Sequence, residues 1–399
     1  MISVEEATRI ILSNRYKPET VSVALEQAGN AFLAEAISAD RDFPPFDRVS
    51  MDGIAISSAA FAAGQREFVV DGVQAAGVPQ KRLGSGTHCL EVMTGAVVPE
   101  GVDLVIRYED IEIANGKAIV MSDEHFRGQN IHSQGADVRR GDVLLLPGTL
   151  LSPAEIALLA SVGKSKVLVR RYPKTAVVST GDELVDITAT PEEHQIRRSN
   201  SYALAAALRE AGVSPGMFHI PDQEGRLRDD LRGIASDHEL IILTGGVSRG
   251  KFDYVPAILQ ELGVEMHFHG VAQRPGKPFW FGTAKDGKTF FALPGNPVST
   301  YMCFYRYILP WLRQSMGSTM SPLTAFLAED FTFMPVVTCF LQVRCRVADG
   351  KLMASPAPGG GSGDFANLGQ ADGFLELPAE STVFRAGDVY PYVPFRLLE

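Results

Sequence analysis

The sequence predicts a multidomain α/β and β protein organised around a central, doubly wound α/β domain. Between about Lys174 and Leu312, short apolar runs alternate with helical patterns. The clearest unit is Leu240-Ile241-Ile242-Leu243, then Thr244-Gly245-Gly246, then a helical pattern from Tyr254 to Gly263. A continuous apolar run marks a strand buried on both faces, and repeated strand–loop–helix units imply a mostly parallel sheet. On either side of this region the pattern is β-rich, over Phe68–Met121 and again after about Gly317. A chain of 399 residues also exceeds what one compact core holds.

The charge balance, 37 Lys and Arg against 47 Asp and Glu, gives a net −10. That argues against a broad nucleic-acid surface but leaves room for a local basic pocket. The four cysteines are scattered, and no pair has zinc-ligand spacing. They read as reduced packing residues, which fits the cytoplasm. The start, MISVEEATRI, is amphipathic rather than a signal peptide. The most apolar stretch, Val298–Leu312, is too short to span a membrane and contains Arg306.

Taken in order, Ser3 with Glu6 reads as a capping box, and Val4, Ala7 and Ile11 form one apolar helix face. A second helical pattern covers Val23–Ile37. Arg41–Asp52 is a loop dense in Phe, Asp and Arg, either functional or a packed corner. Glu112–Met121 predicts a hairpin turning at Asn115-Gly116. Ser152-Pro153-Ala154-Glu155 opens a helix that Gly163 can end, and Lys166–Arg170 is a strand. Strands are expected at Thr175–Ser179, Gly216–Ile220, Ile241–Leu243 and Thr289–Leu293. Helices follow at Tyr202–Glu210, with Asn200 as N-cap, and at Leu227–Ala235; Asn296 caps a third, with Pro297 in its first turn. Cys339–Val347 alternates, with Gln342, Arg344 and Arg346 facing away from Leu341, Val343 and Cys345.

In a parallel sheet, ligands gather at the carboxyl ends of the strands. Four loops are expected there. They carry Asp182 and Glu183, Asp222, Gly245 and Gly246 with Ser248 and Asp253, and Pro294-Gly295-Asn296-Pro297. Gln273–Phe279 adds Arg274 and Lys277. Carboxylates beside cations and open helix N-termini suit an anionic, phosphorylated substrate with Mg2+ acting as Lewis acid. Each residue also has a structural reading: Asp182, Glu183 and Asp253 as caps, Asp222 as a turn residue after Pro221, Arg274 and Lys277 as solvated charges. His267 and His269 alternate on one strand and are not expected to bind metal.

Together the loops resemble the molybdopterin molybdenumtransferase (MoeA) family, which is similar to the E domain of gephyrin. The resemblance rests on SMDGIAI (50–56), VMTGAVVP (92–99), STGDEL (179–184), TGGVSRGKFDY (244–254), RPGKPFWFG (274–282), LPGNPVS (293–299) and, more weakly, SGDFANLGQADGFLELP (362–378). It implies Mg2+-dependent insertion of molybdate into adenylylated molybdopterin with release of AMP. Glu183, Asp222 and Asp253 would be the acidic, metal-holding residues. Lys277 would contact the anionic substrate, with Pro294 and Pro297 shaping its wall. Asp52 and Thr94 match functional positions that reach the site from the other subunit of a homodimer.

The resemblance also implies four domains. These are a discontinuous helical linker domain (1–26 with 142–168), a β-rich domain (27–141), the α/β molybdopterin-binding domain (169–317) and a small C-terminal β-barrel domain (318–399). A transient contact with the molybdopterin adenylyltransferase is expected, with no nucleic acid and no membrane. The chain departs from the family pattern at Arg274, where Lys is usual, at Arg197-Arg198, at His132-Ser133 and at Asn30. The competing readings are a non-catalytic molybdopterin-binding or scaffold protein of the same fold, and a tungstate-inserting variant.

Overall fold

The structure, a computed structural model, describes residues 1–247, 253–319 and 321–396. The α/β domain is a six-stranded sheet: β1 (Thr175–Thr180), β2 (Gly216–Ile220), β3 (Leu240–Thr244), β4 (Val264–His269), β5 (Trp280–Ala284) and β6 (Thr289–Leu293). Their spatial order is β2-β1-β3-β6-β5-β4. The first four are parallel, and β5 runs antiparallel to both β6 and β4.

Alternate side chains of each central strand enter opposite cores. Val177, Ile242 and Phe291 face one side, where they meet Leu204 and Leu208 of α1 (Asn200–Glu210). Val178, Ile241 and Leu243 face the other, against α2 (Glu224–Asp237) and α3 (Val255–Glu261). The apolar runs of the sequence are therefore buried on both faces, as a doubly wound sheet requires.

The N-terminal helix Val4–Ser13 adds Val4, Ala7 and Ile11 to the first core, and the Ser3 hydroxyl accepts from the Glu6 amide at 3.1 Å. Behind it the chain is pinned by Glu239, at the start of β3. Glu239 takes two guanidinium bonds from Arg171, each 2.8 Å, the Lys174 amide at 2.8 Å and the Tyr16 hydroxyl at 3.1 Å.

The helix expected over Val23–Ile37 is not formed. Thr20–Ala24 is instead a strand paired antiparallel with Lys166–Arg170, which also pairs with Phe32–Leu33. The β-branched Val21 and Val23 suit this pairing, and Gly29-Asn30, with Asn30 at φ 62°, turns the chain between the strands.

The C-terminal region closes into a small barrel. Thr338–Ala348, Lys351–Pro356, Leu323–Leu327, Val389–Pro394 and Gly373–Leu377 pair in that order, and the last returns to the first. A second compact unit, residues 35–146 with 154–165, contains its own six-stranded sheet, and the predicted hairpin at Asn115-Gly116 is part of it. Its core gathers Ile54, Ile56, Phe68, Cys89, Leu104 and Ile106.

The Arg171 guanidinium and the other donors hold the Glu239 carboxyl down at about 2, against an ordinary 4.5. A carboxylate with a lowered folded pKa contributes stability above its unfolded pKa and loses it as pH falls toward the folded value. Glu239→Gln is expected to cost about 1–2 kcal/mol at pH 7, allowing for partial exposure. In denaturant titrations the gap from wild type should narrow as the pH drops below about 4.5. A gap that stays constant down to pH 3 would contradict this role.

Candidate active site

Parallel pairing of β2, β1, β3 and β6 places the four loops that follow them along one sheet edge. After β1, Gly181 leads into Asp182 and Glu183. After β2, Pro221 is followed by Asp222, whose amide donates to Asp182 Oδ1 at 3.0 Å. After β3, Gly245 and Gly246 take φ of 94° and 65°. A Cβ on Gly245 would stand 2.6 Å from the Thr180 carbonyl oxygen, so only glycine lets these two strand ends come so close. Asp253 follows. Ser248, with Arg249 and Lys251, lies outside the described residues.

Asp222 sits among like charges. Burial, followed by the fields of Glu183, Asp182 and Asp253, pushes its carboxyl up to about 6. Among the described residues, no three His, Cys, Asp or Glu side chains stand close enough together to hold a metal ion. The donor chemistry nevertheless fits a hard divalent cation. These are oxygen ligands whose mutual repulsion a cation would relieve. Asp182 is partly committed to the Asp222 amide.

The loop after β6 does not cap its helix as expected. Asn296 occupies the N-cap position but makes no capping bond; its Nδ2 donates to Ser362 Oγ of the C-terminal barrel domain at 2.8 Å. Asn200 likewise stands inside α1 rather than capping it, and its Nδ2 donates to the Gly295 carbonyl at 2.7 Å. Thr300 Oγ1 donates to the Pro294 carbonyl at 2.6 Å. Asn200 and Thr300 thus hold the Pro294–Pro297 loop, and Asn296 ties it to Ser362.

A cleft of about 670 Å3 opens next to this loop. One wall is Gln273–Pro278 with Pro294–Asn296, and the other is Phe331–Pro335, Cys339–Gln342 and Pro358–Ser362 of the C-terminal domain. Gln273–Arg274 pairs in parallel with Thr338–Cys339, which joins the two walls at one end. Arg274 and Lys277 are exposed and form no ion pair among the described residues, so both charges are available to an anion.

The sequence pattern did not single out Gln342. It was expected on the open face of its strand with Arg344 and Arg346, yet it is only 7 % exposed, and its Oε1 has no partner among the described residues. The α/β domain covers this half of the strand, and Phe340 on the same face joins the α/β core. Strand alternation gives a face, not what lies against it. His267 Nε2 meets Thr283 Oγ1 and His269 Nε2 donates to the Val247 carbonyl, each at 2.8 Å.

In the second compact unit, the Thr94 amide and hydroxyl both donate to Asp52 Oδ1 at 2.6 Å. These bonds hold the Asp52 carboxyl below its usual range. The two residues that the sequence motifs paired are thus in direct contact.

Residues 2–163 match the family described as MoeA N-terminal region (domain I and II). Residues 176–314 match the one described as "Probable molybdopterin binding domain", and residues 324–395 the MoeA C-terminal region (domain IV). The molybdopterin molybdenumtransferase of Synechocystis sp. is 39% identical over 396 residues, which is 98% of this chain and 99% of that protein. Its counterpart in Bacillus subtilis is 34% identical over 399 residues, 97% and 92% of the two chains. A crystal structure of the molybdopterin biosynthesis MoeA protein from Pyrococcus horikosii has a TM-score of 0.82 at 30% identity and covers both chains completely.

Because the folded pKa of Asp222 lies above its ordinary 3.8, the folded chain holds a proton that the unfolded chain has released between about pH 4 and pH 6. Stability therefore falls as pH rises through that window. Asp222→Asn, neutral throughout, is expected to unfold at higher denaturant than wild type at pH 7 in metal-free buffer, with the difference vanishing near pH 4. Equal midpoints at both pH values would show that the carboxylates do not crowd one another.

Proposed function

The chain belongs to the molybdopterin molybdenumtransferase (MoeA) family, and from that membership we propose that it inserts molybdate into adenylylated molybdopterin in a Mg2+-dependent reaction that releases AMP. Members of the family are enzymes of molybdenum cofactor biosynthesis, and this chain is one of them. The observation that carries the finer reading is the juxtaposition at one sheet edge. Glu183, Asp222 and Asp253 follow β1, β2 and β3 at the same sheet edge as the Pro294–Pro297 loop after β6, which itself forms part of the cleft wall with Arg274 and Lys277.

The substrate carries a phosphoanhydride, and molybdate is a dianion. Lys277 and Arg274 would receive the anionic oxygens, and the Gly245-Gly246 turn, continued by Ser248, would bring backbone N–H groups close to the ligand. Gly295 and Asn296, between Pro294 and Pro297, would form the wall that orients it. Glu183, Asp222 and Asp253 would hold Mg2+, which supplies charge neutralisation at the phosphoanhydride. Asp52, oriented by Thr94, would complete the site from the second subunit of a homodimer.

The four-domain division, with a linker domain built from 1–26 and 142–168, is part of the same proposal. So are a cytoplasmic location and a transient contact with the adenylyltransferase that delivers the substrate. Among the described residues no helix is long and apolar enough to cross a membrane.

The test is AMP release from adenylylated molybdopterin with Mg2+, with and without molybdate, for wild type and Asp222→Ala. Molybdate-dependent release that falls by about a hundredfold or more in the variant is the expected result. Tight binding of the substrate without release, unchanged in Asp222→Ala, would favour the non-catalytic binding reading. Equal turnover with tungstate would broaden the oxyanion assignment.

A further inference from the structure

Gln273 is a polar residue in an apolar setting. It is 2 % exposed and lies directly before Arg274, where the cleft wall begins. Both polar atoms of its carboxamide are hydrogen-bonded. Tyr307, also 2 % exposed, donates its hydroxyl to Gln273 Oε1 at 2.5 Å, and Gln273 Nε2 donates to the Gly276 carbonyl at 3.0 Å. The second bond spans the turn that carries Arg274 and Lys277. Two further constraints act on the turn. Gly276 takes φ of 90°, and a Cβ there would stand 2.9 Å from both Cys303 Sγ and Gln273 Nε2. The Lys277 carbonyl accepts from the Val271 amide at 3.0 Å.

Tyr307 reaches Gln273 from a π-helical turn, Phe304–Ile308, inserted between two α-helical segments. Such a turn alters the spacing of side chains along a helix and is frequent at functional sites. Here neighbouring residues serve the two walls of the cleft. Tyr307 holds the α/β wall through Gln273, while Arg306 binds Glu376 of the C-terminal barrel at 2.6 and 3.2 Å.

We propose that Gln273, fixed by Tyr307, is a positioning residue that sets the Arg274–Lys277 turn for the oxyanion. This deepens the proposed function and rests on it. A buried carboxamide that bridges a hydroxyl and a carbonyl fixes the turn in one conformation. Two cations on a fixed turn bind an oxyanion without the entropy cost of ordering the loop.

The test measures the affinity of the full-length chain for molybdate by calorimetry, alongside AMP release and thermal midpoints. Four variants are compared: Gln273→Met, Tyr307→Phe, the double variant, and Gln273→Glu. Gln273→Met keeps the volume but leaves the Tyr307 hydroxyl buried without a partner, so it loses both thermal stability and molybdate affinity, the latter by about tenfold. The double variant removes the stranded hydroxyl. It regains thermal midpoint relative to Gln273→Met but not affinity, a split that a merely structural role would not produce. Gln273→Glu rescues affinity at acid pH, where a neutral carboxyl can donate to the Gly276 carbonyl, and loses it as the carboxyl ionises.

Unchanged molybdate affinity in Gln273→Met, or affinity that returns with stability in the double variant, would overturn the proposal. So would a wild-type chain that does not bind molybdate. Wild-type binding without AMP release, with affinity still lost in Gln273→Met, would uphold the positioning role and remove the transferase reading.

Discussion

Burial of four adjacent parallel strands on both faces is the constraint on which the site depends. Because β2, β1, β3 and β6 run the same way, their carboxyl ends must share one edge, and each end must turn there into a loop. The cores on the two faces fix the strand register, so the loops start from fixed points. Asp182 and Glu183, Asp222, and the Gly245-Gly246 turn are brought together by the sheet even though they lie far apart in the chain.

That convergence is electrostatically unfavourable when no cation is present. Burial and three neighbouring carboxylates raise the Asp222 carboxyl, and a backbone hydrogen bond from Asp182 gives only partial relief. Like charges held together by a scaffold mark a functional site more often than a structural one. Arg274 and Lys277 stand on a separate turn, which lines the cleft together with Pro294, Gly295 and Asn296. The exposed Arg274 and Lys277 form no ion pair among the described residues and remain available to an anionic ligand.

The C-terminal barrel completes the cleft rather than standing apart from it. A two-residue strand pairing, the Asn296–Ser362 bond and the half-buried Arg306–Glu376 ion pair tie it to the α/β domain. The last of these places two charges on groups each 19 % exposed, where both carboxylate oxygens are hydrogen-bonded. Such a pair specifies one arrangement of the two surfaces more than it adds net stability.

By itself the sequence determined what is local. Strands β1, β2, β3 and β6, the loops after them and the Asn115-Gly116 hairpin are legible because apolar runs, glycines and turn residues act within a few positions of themselves. The acidic candidates followed from those boundaries, and the family resemblance rested on the same loops. Only the tertiary structure decided what depends on a distant partner. Val21 and Val23 form a strand because Lys166–Arg170 lies beside them, and no helical period in Val23–Ile37 could reveal that. Asn200 and Asn296 abandon the caps that their positions suggested because carbonyl and hydroxyl partners from other segments stand within 2.8 Å. Gln342 is buried because another domain covers half its strand. A side chain's hydrogen-bond partner is set by the packing of remote segments, and residue spacing along the chain carries no record of it.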